Sequence, residues 1–170
     1  NSAVGAIPRL IDMGVEPFLV SSALACIISQ RLIRRVNDKT KRAFTPDAEL
    51  ISRLGMSAEE AKGVTFYEAV PGPTPGDTGY SGRLAIHEVM LIDEELSRMI
   101  VERKDANEIK NKAIEKGMLQ LAIDGVRGIK LGITTPEEVL SVSYIEETEE
   151  APDKEKQLPK APDVKKTPAA

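Results

Sequence analysis

The chain has one cysteine, one histidine and no tryptophan, and no stretch of it reads G-x-x-x-x-G-K-[ST]. Each absence excludes something. Cys26 alone permits no intrachain disulfide, and its place in an apolar run predicts a small, buried, inert thiol. A phosphate-cradling loop aims backbone N–H groups, a Lys and a hydroxyl at phosphates and Mg²⁺. Without those atoms the chain by itself is not expected to hydrolyse ATP. Aromatics make up 4% of the residues against 41% hydrophobic, so the core has to be aliphatic. No apolar run approaches the roughly 18–20 residues that a membrane-spanning helix needs. No signal-peptide pattern opens the sequence, and a cytoplasmic location is the default expectation.

What is present fits one main domain with an appendage, for a length of 170 residues. The net charge of −4 argues against a general nucleic-acid binder. The charge is uneven, with six Lys or Arg against one Asp in residues 30–42 and an acidic end. Helical spacing of Ala3, Ile7, Leu10 and Ile11 predicts a helix over 3–13, stopped at Gly14. Pro17 opens a second helix over about 17–27, apolar nearly all round and therefore buried. Alternation over 28–36 predicts a strand. Residues 37–64 begin polar and then offer two short helices, the second with Ser57 and Glu60 at capping-box spacing. Residues 64–70 and 83–91 are strand candidates, and with the Pro- and Gly-rich loop 71–82 they suggest a hairpin. Helices follow from 93, with Asp93 and Asp105 as N-caps and Gly117 and Gly132 as stops. A last helix opens with Thr135 as N-cap and Pro136 at its first position. Residues 146–170 lack an apolar face and are expected to be disordered.

Four segments carry a resemblance. Residues 6–24 (AIPRLIDMGVEPFLVSSAL), 29–35 (SQRLIRR), 78–96 (TGYSGRLAIHEVMLIDEEL) and 117–140 (GMLQLAIDGVRGIKLGITTPEEVL) are similar, in order and spacing, to the C-terminal part of the type II secretion and type IV pilus assembly ATPase family. Asn1 falls on the last position of that family's His-Thr-Asn box, so the resemblance implies a C-terminal piece that begins after the catalytic elements. It implies an α/β fold, the C-terminal portion of a RecA-like P-loop domain with a β-hairpin insertion and a helical C-terminal bundle. The expected divisions are 1–36 (edge of the ATPase core), 37–82 (insertion), 83–145 (strand plus helices) and 146–170 (tail). For the complete protein it implies ATP and Mg²⁺, a homo-hexamer and an inner-membrane platform protein as partners, and a cytoplasmic position at the inner membrane. The long insertion favours the assembly motors over the retraction motors of the same superfamily. A stand-alone binding module that docks on ATPase subunits or the platform protein is the other reading.

One departure matters. Many members clamp a zinc ion with two Cys pairs in the insertion, and the corresponding positions here are Asn37, Thr40, Gly72 and Pro75. None can ligate zinc as a thiolate or imidazole, so no metal is expected and the insertion should have a thin core of its own. No catalytic or nucleotide-binding residue is expected in the chain. Arg31, Arg34 and Arg35, and more weakly Arg9, are candidates for a subunit interface, because Arg stays charged and binds phosphate or carboxylate in a bidentate way. A solvated face is the equal alternative for them. His87 reads as a partly buried strand residue, Asp124 as a helix-terminal cap, and Glu137 and Glu138 as acids that favour a helix N-terminus.

Overall fold

The computed structural model describes residues 2–142, which mix helices and strands in a way consistent with an α/β class. Two helices, α1 (Ala6–Asp12) and α2 (Pro17–Ala23), precede a long strand β1 (Cys26–Val36). Then come β2 (Arg42–Phe44), α3 (Ala48–Arg53), α4 (Ala58–Lys62), β3 (Phe66–Glu68) and a second long strand β4 (Tyr80–Leu91). The chain continues through α5 (Glu94–Val101), α6 (Ala106–Glu115) and α7 (Leu121–Lys130) to a helical run over 136–142. The tail 146–170 lies outside the described residues.

The expected hairpin does not form. β4 pairs antiparallel with β1, from Cys26 opposite Leu91 to Val36 opposite Tyr80, with a bulge between Arg34 and Val36. β3 pairs instead with β2, Phe44 opposite Phe66. The reason is length. Eleven and twelve residues of matched apolar alternation outweigh the local closure of a loop. The same competition trims α2. Its helix ends at Ala23 because Ile27 and Ile28 are β-branched and belong to the ribbon. The Pro- and Gly-rich loop likewise ends at Gly79, whose N–H donates to Asp77 Oδ1 at 2.8 Å. Gly79 has φ +78°, and a Cβ there would lie 2.5 Å from the Val70 carbonyl oxygen. Only glycine suits that turn into β4.

One face of the ribbon carries two apolar clusters. Near one end Met90 meets Val4, just ahead of α1, and Ile7, Val20, Leu96, Ile100 and Ile109 from α1, α2, α5 and α6. Near the other, Ile33 and Ile86 meet Leu54, Met56, Phe66, Leu121, Ile129 and Val139. The insertion therefore has no separate thin core. Its Phe66, Leu54 and Met56 are part of the same cluster as the ribbon and α7. Between the clusters lies Glu88, 1% exposed, whose Oε1 accepts the Ala3 N–H at 2.7 Å. Local chemistry sets the helix starts as expected. Asp93, Asp105 and Ser57 each accept a backbone N–H, the last in a complete capping box with Glu60. Asp93 and Glu95 both meet Lys116. The Asp93 carboxyl is held below its ordinary range, first by the Leu96 N–H and then by Lys116.

Two glycines inside α7 conflict with helix propensity but let the helix sit close to its neighbours. A Cβ on Gly125 would lie 2.9 Å from Val139 Cγ1, and one on Gly128 would lie 2.9 Å from Leu84 Cδ2. Val139 is β-branched, buried and stiff, so the first clash cannot be relieved by a rotamer. Gly125→Ala should destabilise by about 1–3 kcal/mol, although alanine gains roughly 1 kcal/mol of helix propensity. In a Val139→Ala background the same change should be neutral or stabilising. Urea midpoints of the four proteins check this, and an unchanged penalty in both backgrounds would remove the close approach as the cause.

Candidate functional site

The four expected interface arginines do not gather. Arg9 is exposed on α1, Arg31 is half-buried on the inner face of β1, and Arg35 is exposed at the bulge. Arg34 alone anchors a built cluster. Its Nε and Nη2 reach Glu138 Oε1 at 2.8 and 2.6 Å, and its guanidinium lies 3.9 Å over the Tyr80 ring. The Tyr80 hydroxyl is 3.0 Å from Thr135 Oγ1, which also accepts the Glu138 N–H at 3.4 Å. The charge-assisted bonds from Glu138 raise the Arg34 pKa, and burial pushes the Tyr80 phenol up.

Glu138 also accepts the backbone N–H of Arg34 at 2.7 Å. Close by, Val36 N–H donates to the Ile133 carbonyl at 2.9 Å, and the Thr134 hydroxyl donates to the Arg34 carbonyl at 2.8 Å. Residues 133–138 therefore close the free edge of β1. Asp124, in the first turn of α7, does the same for β4 by accepting the His87 N–H at 2.9 Å. An open strand edge would leave such groups for water or another chain. The helix-dipole reading of Glu138 misses this role. Arg34 and Glu138 are 104 positions apart, so no local pattern links them.

Two expectations about isolated residues are corrected. His87 is exposed rather than partly buried, because it lies on the outer face opposite Gln30. Cys26 is exposed for the same reason, opposite Leu91. That outer face is unusually apolar. Ile28, Leu32, Val89 and Leu91 are 59, 55, 43 and 71% exposed, and on α2 Phe18 and Leu19 are 68 and 55% exposed. The buried expectation for α2 therefore holds only for Pro17 and Val20. Surfaces of this kind mark contacts with other protein.

A lysine ties the insertion to the rest of the chain. Lys41 Nζ donates to the Gly132 carbonyl at 3.1 Å, at the end of α7, and sits 4.4 Å over the Tyr67 ring. It also pairs with Asp38 at 2.5 Å. Asn37 donates its N–H to the Gly79 carbonyl at 2.9 Å. Among the described residues no helix is long and apolar enough to cross a membrane.

Residues 1–141 match the Type II/IV secretion system protein family. The chain belongs to that family. It is 48% identical over 141 residues to the type IV pilus assembly ATPase PilB of Thermus thermophilus, covering 83% of this chain and 16% of that protein. It is 38% identical to the protein of the same name from Myxococcus xanthus, covering 82% of this chain and 25% of that one. The type II secretion system ATPase E of Vibrio cholerae is 35% identical, with 84% of this chain and 28% of that protein covered. The chain thus spans less than a third of the length of these relatives.

Arg34→Ala and Glu138→Ala should each lower stability by about 1–3 kcal/mol, the range for losing hydrogen bonds to a charged group. The double variant should lose less than the sum, with a coupling of about 0.5–3 kcal/mol. Urea unfolding of the four proteins measures it. Strict additivity would show that the fork contributes nothing.

Proposed function

We propose that this chain is the C-terminal part of a motor ATPase subunit that assembles a type IV pilus or a type II secretion pseudopilus. The observation that carries the reading is the family match over residues 1–141, together with relatives whose names state pilus assembly or secretion and ATPase. On this reading the complete protein holds a RecA-like domain, binds ATP and Mg²⁺ and acts as a cytoplasmic homo-hexamer. It works against an inner-membrane platform protein, and the helices after β4 form a C-terminal bundle.

The division of labour within the subunit follows from chemistry. Phosphate binding needs the glycine-rich loop and its Lys, and Mg²⁺ needs that loop's hydroxyl and a carboxylate. This sequence supplies no such loop. Its contribution is then structural and intersubunit. The outer face of the ribbon and the exposed part of α2 are the surfaces that the rest of the polypeptide would cover. Arg9, Arg31 and Arg35 remain candidates for contact with a neighbouring subunit. Arg34 is committed to Glu138 and Tyr80, and would have to leave them to act there. We further propose that the insertion works without zinc, with Lys41 tying it to the end of α7.

The absent P-loop also supports a second reading, a non-catalytic module that docks on ATPase subunits or the platform protein. One experiment separates the two. Residues 1–141 replace the matching stretch of the Thermus relative, and Mg²⁺-dependent phosphate release is measured beside the isolated chain. The motor reading predicts hydrolysis by the chimera and none by the chain alone. An inactive but folded and assembled chimera would favour the docking module. Turnover by the isolated chain that survives repurification would overturn both.

A further inference from the structure

α2 and α5 leave an open groove of about 720 Å³ between them. Phe18 and Leu24 line it from α2 and its end, and Ile92 and Val101 from α5 and the turn before it. Phe18 is 68% and Val101 46% exposed, so neither finds cover within the described residues. Two small residues, Ser21 and Ser97, also line the groove and let another helix come close. The Ser21 hydroxyl donates to the Phe18 carbonyl at 3.0 Å and needs no outside partner.

Three charged residues complete the lining: Asp93, Glu94 and Arg98. Asp93 is taken up by Lys116 and by the Leu96 N–H. Glu94 and Arg98 are exposed and one helical turn apart, and neither has an ion-pair partner among the described residues. With Ser97 and Val101 they form the stripe 94, 97, 98 and 101, which falls on one face of α5. A partner carrying charge of one sign would satisfy only one of the two. A second copy satisfies both. About a two-fold axis across α5, Glu94 of each chain meets Arg98 of the other, because the same patch faces itself. Each chain then offers its exposed Phe18 and Val101 to the groove of the other.

We propose that this groove is the contact face of a symmetric dimer of the chain, with α5 antiparallel to α5 of a second copy and Glu94–Arg98 pairs across the axis. Such a contact closes after two chains, so it differs from the head-to-tail contacts that build a ring. On this assignment Phe18 faces a second copy, while Leu19 and the outer face of the ribbon remain for the rest of the polypeptide.

Analytical ultracentrifugation of the full chain over a dilution series is the test. The parent chain should dimerise reversibly. Glu94→Arg and Arg98→Glu each set like charges against one another across the axis, and each should weaken the dimer about tenfold or more. An equimolar mixture of these two variants should recover the dimer, because each then meets the opposite charge in the other. An ion pair formed within one helix would give no such recovery. Phe18→Ala should weaken the dimer by about tenfold, and Leu32→Glu, on the outer face of the ribbon, should leave it intact. Far-UV circular dichroism checks that each variant is folded. A parent chain that stays monomeric up to about 1 mM, or a mixture that recovers nothing, would overturn the proposal. A dimer lost in Leu32→Glu and kept in Glu94→Arg would place the contact on the ribbon and overturn it as well.

Discussion

The pairing of β1 with β4 is the constraint on which the rest of the molecule depends. A two-stranded ribbon is marginal by itself and has two open edges and two faces to account for. Here one face is covered by both apolar clusters. The edges are closed at chosen points by other parts of the chain. Glu138, Thr134 and the Ile133 carbonyl take the groups of Arg34 and Val36 on β1, and Asp124 takes the His87 N–H on β4. These side chains come from α7 and the segment after it, so the C-terminal elements are bound to the ribbon by directional bonds as well as by apolar contact. This long-range antiparallel pair also closes the loop formed by residues 37–79.

Much of this was legible in the sequence, and the parts that were not share one cause. Capping residues act within four positions of themselves, so Asp93, Asp105, Ser57 and Thr135 could be read directly. Strand character in 28–36 and 83–91 was equally local. What failed depended on distance along the chain. Residues 64–70 could not reveal that their partner is the short β2, since a pattern of period two does not name its partner. Cys26 was taken as buried because it sits in an apolar run, and His87 as partly buried because it lies in a strand pattern between Ile86 and Glu88. Which face of the ribbon points inward was set by α1, α5 and α7, not by the strand itself. Glu138 was explained adequately by its helix start, and its fork to Arg34 had no local trace.

The candidate arginines show the same limit in the other direction. Their clustering in sequence suggested one shared surface, but a strand sends successive side chains to opposite faces. Arg31 and Arg34 therefore part, and the bulge between Arg34 and Val36 turns Arg35 away again. The family resemblance was carried by short segments that the structure now places in the frame itself. SQRLIRR is the centre of β1, the run from Tyr80 is β4, and the last segment contains both α7 and the residues that close the edge of β1. Family membership and the ribbon architecture are thus two views of the same residues. The outer face of the same ribbon leaves Ile28, Leu32, Val89 and Leu91 exposed.

Native-state amide hydrogen exchange tests the edge-closed ribbon most directly, because it reads single N–H groups. Arg34, Val36 and His87 donate outside the β1–β4 ladder, to Glu138, Ile133 and Asp124 respectively. Their amides should exchange as slowly as those inside the ribbon and should open with it as one cooperative unit. Fast exchange at these three positions, beside slow exchange within the ladder, would show the edges to be open and would contradict the account.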